Sequence, residues 1–399
     1  MIIGRRSENR VFWICLAAVY LIAFCSALLG QNSSDQYGQY LREHYLSPED
    51  FLVECFKNHD IVFVGEHHYI KHDVELIQNV IPKLYQAGVY NLGIEFAVHG
   101  SQNDIDSLIF ADTYDQKLAN KIIFDFWAIW GYQEYIDIFY AAWKFNHSLP
   151  ADQPKFNIYG LNSDLEWSYA RTEADMENPE VMQKVFADGD SDERMAGTIK
   201  TEFIDKNKQA LIYSGINHAF TKYKQPIVDN QTDSVIRFID NRMGNRIYKL
   251  IGDRCCTVFL HSPFPSYKGY GTYVLPGDGI IDSLMIGFDP KYQSWGMDLT
   301  NSPFGEISAK TSYWSHGYPE FKLRDFCDGY IYQKSFCEYE GVRTAENFVT
   351  EENRLRVISE FANPRAKDTT RTVEWLVDMM ARTANIRHRF ESLCEQSKQ

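Results

Sequence analysis

IVFVGEHHYIKH, Ile61 to His72, opens with apolar, mostly β-branched residues and stops at a carboxylate and two adjacent imidazoles, with another imidazole at His72. A short apolar run without alternation marks a strand buried on both faces. Gly65 lets the backbone leave tightly or approach a ligand closely. Similar runs follow: YNLGIEF (90–96), KFNIYGLNSD (155–164), ALIYSGINHA (210–219), CCTVFLH (255–261), SLMIGFD (283–289) and DGYIYQ (328–333).

Between the first two runs, Val74, Ile77, Val80, Ile81 and Leu84 follow helical spacing, and Gly88 supplies a C-cap. Pro82 predicts a kink or break in that helix. A second helix fits YQEYIDIFYAAWKFN, with Tyr135, Ile138, Phe139, Ala142 and Trp143 on one face. Strand, helix and strand in this rhythm predict an α/β fold: a mostly parallel sheet flanked by helices. Residues 264–325, rich in Gly, Pro and aromatics, read as a lid or β-insertion within an α/β domain spanning 31–345. Residues 346–399 read as a helical C-terminal tail, with Val373, Leu376, Val377 and Met380 on one face.

The first six runs end in Glu66, Glu95, Asp164, His218, His261 and Asp289. In a parallel sheet, ligands sit beyond the carboxyl ends of the strands, so these groups point towards one edge. Glu66 and His68 form a G-E-x-H element, in which the carboxylate can orient the imidazole or share a metal ion or a water with it. Glu95 can stand beside Glu66, and His218 reaches the same place from the far side as general base or metal ligand. Together Glu66, His68, Glu95 and His218 make a donor set that Mn, Fe or Zn would accept. His72 is either a further ligand on the face of His68 or a solvated residue opening a helix. His67 is expected to point away from His68. Asp164 either positions a second histidine or caps a helix. His261 and Asp289 are either cofactor contacts or polar residues where a strand meets solvent.

The net charge of −14 and the absence of a basic stripe argue against a nucleic-acid partner. A 45% apolar share in 399 residues is enough for a substantial core. Arg5, Arg6 and Arg10 precede VFWICLAAVYLIAFCSALLG, which makes residues 1–30 a cleaved signal peptide or a retained membrane anchor. The expected location is therefore periplasmic, extracellular or membrane-anchored, with membrane contact only through that segment. Export permits disulfides, and Cys327 with Cys337 is the expected pair. At least one of Cys255 and Cys256 is expected to be a buried thiol. No C-x-x-C occurs to support a zinc ribbon.

VFVGEHH, LGIEF, WKFN leading into IYGLNSD, and IYSGINHAF resemble the erythromycin esterase-like proteins and the wider group that includes the ChaN-like haem-binding-uptake and Tiki proteins. The resemblance spans roughly residues 58 to 262 and places its G-x-x-H element at Gly65 to His68, its strand-ending Glu at Glu95 and its late His at His218. It also aligns Trp143, Asn146 and Asp164 with an arrangement of the esterase-type members. Tyr69 stands where the esterase form has its histidine, so the first element is closer to the ChaN and Tiki form. The resemblance implies two classes of function. One is hydrolysis of an ester or peptide-like small substrate, with His218 or His68 taking a proton from water and Glu66 and Glu95 orienting the base or holding a divalent metal. The other is haem or iron capture without turnover, with His or Tyr as axial ligand. No G-x-S-x-G elbow supports a serine nucleophile.

Overall fold

The computed structural model describes residues 36–187, 189–229 and 231–398, so residues 1–30, expected to be a signal peptide or membrane anchor, lie outside the described residues. All elements below belong to the larger of two compact units, Leu46–Gln399. Seven strands form the central sheet: β1 (Ile61–Glu66), β2 (Asn91–Val98), β3 (Asn157–Asn162), β4 (Ala210–Gly215), β5 (Cys255–Leu260), β6 (Trp295–Asp298) and β7 (Gly329–Tyr332). Their order is β6-β7-β5-β1-β4-β2-β3, parallel throughout except for β6 against β7. Every residue of β1 is buried, because β4 and β5 pair along its two edges and helices cover its faces. That double burial is why its sequence shows no alternation.

Helix α1 (Lys71–Gln86) crosses from β1 towards β2 and buries Val74, Ile77, Val80, Ile81 and Leu84. It runs through Pro82 without ending, since the missing N–H falls near the last turn and only one ladder bond is lost. Gly88, at φ 86°, adopts the left-handed conformation that closes the helix, and Val89 N–H reaches back to the Leu84 carbonyl. Helix α2 (Gln133–Ser148) buries Tyr135, Ile138, Phe139 and Ala142, while Trp143 stays part-exposed and donates to the Ala111 carbonyl. Asn146 is buried and holds the entry to β3 through both the N–H and the carbonyl of Phe156.

SLMIGFD is not a strand. Ile280–Met285 is a helix that buries Ile281, Leu284 and Met285, a helical spacing that outweighs the apolar run. Gly287, at φ 67°, then turns the chain, and Asp289 caps the turn Pro290–Tyr292 by accepting from Lys291 N–H. Asp289 is thus not at the sheet edge. The insertion instead contributes β6, the hairpin Phe264–Ser266 with Gly269–Val274, and a wall of aromatic rings.

The C-terminal tail is helical. Its residues Val357, Ile358, Leu376 and Met380 join the main core, and Ile386, Phe390 and Leu393 pack with Ile70, Phe336 and Tyr339. A disulfide between Cys337 and Cys394 fastens it. The expected Cys327–Cys337 pair does not form: β7 runs extended between the two positions, and Cys327 is a buried free thiol, like Cys255 and Cys256. The bridge closes a loop with a sequence separation of 57. A chain-entropy treatment of such a loop gives about 4 kcal/mol of stabilisation. Reducing it, or making Cys394→Ser, is expected to lower the urea midpoint accordingly; an unchanged midpoint would show that the tail docks without it.

Candidate functional site

The chain leaves β1 for β2, and β4 later inserts between them, while β5 pairs on the other edge of β1. The carboxyl ends of β1, β4 and β5 therefore meet at a switch point, where parallel sheets bind ligands. A cavity of about 200 Å³ opens there, with Glu66, His68, Gly215 and His218 on its floor and Ser262, Tyr273 and Trp314 on its wall.

Glu66 ends β1 at 1% exposure and its oxygens are filled by protein donors. Oε1 accepts from Tyr135 O–H at 2.6 Å and pairs with His68 Nδ1 at 2.7 Å; Oε2 accepts from Tyr213 O–H. Burial, then the charge of Glu66, push both phenols well above the usual tyrosine range, so they remain donors. The turn after Glu66 places Tyr69 at φ 76°, and its N–H donates to Tyr135 Oη at 3.2 Å. One phenol thus links strand end, turn and α2.

With Nδ1 held by Glu66, His68 has Nε2 left for chemistry. Burial pulls its pKa down, but the Glu66 hydrogen bond and the charges of Glu66 and Glu95 outweigh burial and hold it above the ordinary value. His67 also lines the cavity, edge-on to Tyr273 and Phe390, where burial and the neighbouring His68 push it down to about 3 and keep it neutral.

Strand β2 continues past Glu95 to Val98, and its register with β3 breaks between Ile94 and Val98. This irregularity at Glu95 turns the carboxylate towards β4, where Oε2 accepts from Gly215 N–H at 2.7 Å. Gly215 has no room for a side chain: a Cβ there would lie 2.7 Å from the His68 ring. One helical turn further, His218 Nε2 stands 3.5 Å from Glu95 Oε1, and Nδ1 bonds Asp192 Oδ1 at 2.6 Å. Asp192 opens the helix Ser191–Ile199 and also takes Met243 N–H at 2.7 Å and the Arg242 guanidinium at 3.2 Å. Burial pulls His218 down, but the Glu95 charge and the Asp192 hydrogen bond and charge prevail, raising it to about 9. Burial pushes Asp192 up, yet His218, Met243 N–H and Arg242 hold it below the usual carboxylate range. That shift favours the imidazolium form of His218 over the role of proton-abstracting base.

The structure brings Glu66, His68, Glu95 and His218 together and leaves His72, Asp164 and His261, like Asp289, elsewhere. His72 lies in the first turn of α1 against Tyr339, at 6% exposure, and burial pushes it down to about 3. The helix begins only at Lys71, so helical spacing does not relate His72 to His68. Asp164 is exposed in a separate groove lined by Gly100, Asp104, Lys121 and Arg356. β3 lies three strands from β1, about 14 Å at the usual strand spacing. The next helical turn, Trp167–Tyr169, is entered through Glu166, so Asp164 is not its cap either. His261 points away from the cavity, with Nδ1 2.6 Å from Tyr330 Oη and Nε2 3.3 Å from Asp282. Successive side chains of an extended segment alternate, and it is Ser262 that faces the cavity.

Among the described residues, no group of three or more His, Cys, Asp or Glu side chains is arranged to hold a metal ion. The four-residue set does not fit a divalent metal as it stands, because the carboxylate oxygens already serve tyrosine, histidine and backbone donors. Tyr135, Tyr213 and Asp192 belong to the site without having been recognised in the sequence. Tyr135 sits on a core-facing helix stripe, Tyr213 inside an apolar run, and Asp192 looks like an ordinary acidic residue in a first helical turn.

No family model matches the sequence, and no curated protein matches it. Solved structures show partial similarity to the chain. The chain is similar to a Bacillus cereus structural-genomics protein at TM-score 0.48 and 10% identity, over 78% of this chain and 99% of that one. It is similar to the erythromycin esterase EreC, a histidine-to-asparagine mutant in its open conformation, at TM-score 0.45 and 9% identity, over 75% and 95% of the two chains. It is also similar to ChaN of Campylobacter jejuni, solved with cofacial haem, at TM-score 0.35 and 15% identity, over 56% and 89%.

Proposed function

We propose that the chain is an exported hydrolase acting on an ester or peptide-like small substrate, with His68 as general base and His218 as its cationic counterpart. One observation carries this reading: two histidines at one cavity each have Nδ1 held by a different carboxylate, and Glu95 and Asp192 raise His218 to about 9, which favours its cationic form. His68 Nε2 takes a proton from water, and the oxygen of that water attacks the carbonyl carbon. The imidazolium of His218 steadies the developing negative charge and gives its proton to the leaving oxygen; His68 then releases its proton to solvent and His218 takes one up, so an ester and water give an acid and an alcohol and both rings regain their starting states. Glu66 and Asp192 fix the two rings, while Glu95 ties His218 to the backbone of β4. The disulfide and the apolar N-terminal segment support export.

The test is turnover of a panel of aryl and alkyl esters by the purified chain. His218→Gln is expected to lower kcat/KM by about 10²-fold, and equal turnover by the variant would remove its assigned role. Haem capture is the second reading, favoured by an imidazole at a cavity that Tyr273 and Trp314 also line. A Soret shift on haem titration, lost in His68→Ala, is its signature.

A further inference from the structure

One aromatic ring joins the C-terminal tail to the cavity. Phe390 packs edge-on against His67 and against Tyr273, with ring centroids 5.3 Å apart in each case. His67 and Tyr273 both line the cavity. His67 stands between Glu66 and His68, while Tyr273 belongs to the strand Gly269–Val274 of the insertion hairpin. Phe390 therefore braces two parts of the cavity wall that come from distant stretches of the chain.

Little besides a disulfide holds that ring in place. Ile386–Arg389 and Glu391–Ser397 are helices of one or two turns, too short to persist without docking. Among the described residues, the N–H groups of Ile386, Arg389, Phe390, Leu393 and Cys394 donate only to carbonyls of the tail itself. Three side chains, Ile386, Phe390 and Leu393, pack with Ile70, Phe336 and Tyr339, and Arg387 makes a surface ion pair with Glu340 at 3.9 Å. Exposed pairs of that kind contribute little. The covalent tie is Cys337–Cys394. Cys394 N–H donates to the Phe390 carbonyl at 3.1 Å, so the bridge sits one helical turn beyond the ring, and Cys337 directly follows Phe336. Both cysteines are half-buried, whereas Cys255, Cys256 and Cys327 are buried thiols.

We propose that the Cys337–Cys394 disulfide is a redox latch on the cavity. A small dithiol opens it by thiol–disulfide exchange: one thiolate forms a mixed disulfide with one cysteine, and the second closes the reagent into its own disulfide. Two electrons pass to Cys337 and Cys394, each of which ends as a thiol. The freed tail lets Phe390 leave His67 and Tyr273, and the turn that carries His68 loses its brace. The consequence for turnover rests on the hydrolase reading; the release of the tail and the loosening of the turn do not.

The test is hydrogen–deuterium exchange of the full chain, read by mass spectrometry with and without dithiothreitol, alongside a count of free thiols. Reduction is expected to free two thiols and to speed exchange about tenfold in residues 386–397 and in the turn 67–70, with β1 and β4 unchanged. The double variant Cys337→Ser, Cys394→Ser is expected to show the reduced pattern with or without the reagent. Phe390→Ala, with the bridge intact, is expected to loosen the turn alone. A bridge that resists the reagent, a tail equally protected after reduction, or a released tail with an unchanged turn overturns the proposal. So does faster exchange spread evenly over β1 and β4, which marks a loss of global stability. Ester turnover is measured on the same samples and is expected to fall several-fold on reduction; unchanged turnover in a chain that does hydrolyse esters overturns the control of activity. The expected exchange pattern in a chain without ester turnover in either state leaves the latch standing and removes the hydrolase reading.

Discussion

Replacing His68 with Gln is expected to lower ester turnover by about 10²- to 10⁴-fold, the range for a lost general base, while hardly changing stability. The two effects separate because the ring is about a third exposed, with its side chain at 36%, and packs edge-on to Trp130 and Phe96 without being enclosed by them. Removing it leaves Glu66 with two tyrosine donors still in place. Steady-state kinetics and a urea titration on the same preparation check both parts. Turnover within a few fold of wild type would remove His68 as the base; a large fall in the urea midpoint would make its role structural.

Glu66→Ala should show the opposite balance, with a loss of about 3–5 kcal/mol of stability in addition to lost activity. Three donors converge on this carboxylate from distant parts of the chain: Tyr135 on α2, Tyr213 in β4 and His68 in the turn. Deleting it leaves two fully buried hydroxyls without their acceptor and opens a void at the end of the central strand. Glu66→Gln keeps the volume and one acceptor oxygen, and is expected to fall between the two. Equal urea midpoints for Glu66→Ala and wild type would mean that the tyrosines find other partners, and that the site is not built around Glu66.

What could be read in the sequence follows from which signals are local. Strands β1, β4 and β5 are buried on both faces, so their continuous apolar runs gave them away, and the rule for carboxyl ends then pointed to Glu66, His68 and His218. Strand order is not local. β4 enters between β1 and β2, which pushes β3 to the sheet edge and carries Asp164 out of the site. The disulfide partner of Cys337 likewise lies in the tail, beyond the reach of any spacing argument. SLMIGFD shows the ambiguity of short apolar runs: Ile281, Leu284 and Met285 fit a helix face as well as a strand. Asp192 carried no signal, since an acid in the first turn of a helix is ordinary. Its function comes only from the fold, which sets it against a histidine 26 residues away in the chain.

The division of labour between the two histidines is tested most directly by nuclear magnetic resonance titration of the His218 ring in the full chain. A midpoint near 9 is expected in the wild type. Asp192→Asn should move it down, because burial then meets less opposition. The sign for stability follows: a raised folded-state value stabilises fully below the unfolded value of about 6.5, and that contribution, about 3 kcal/mol, is lost as pH rises through about 9. A wild-type midpoint at or below 6.5 would leave His218 neutral at physiological pH, and the assignment of base to His68 and cation to His218 would fail.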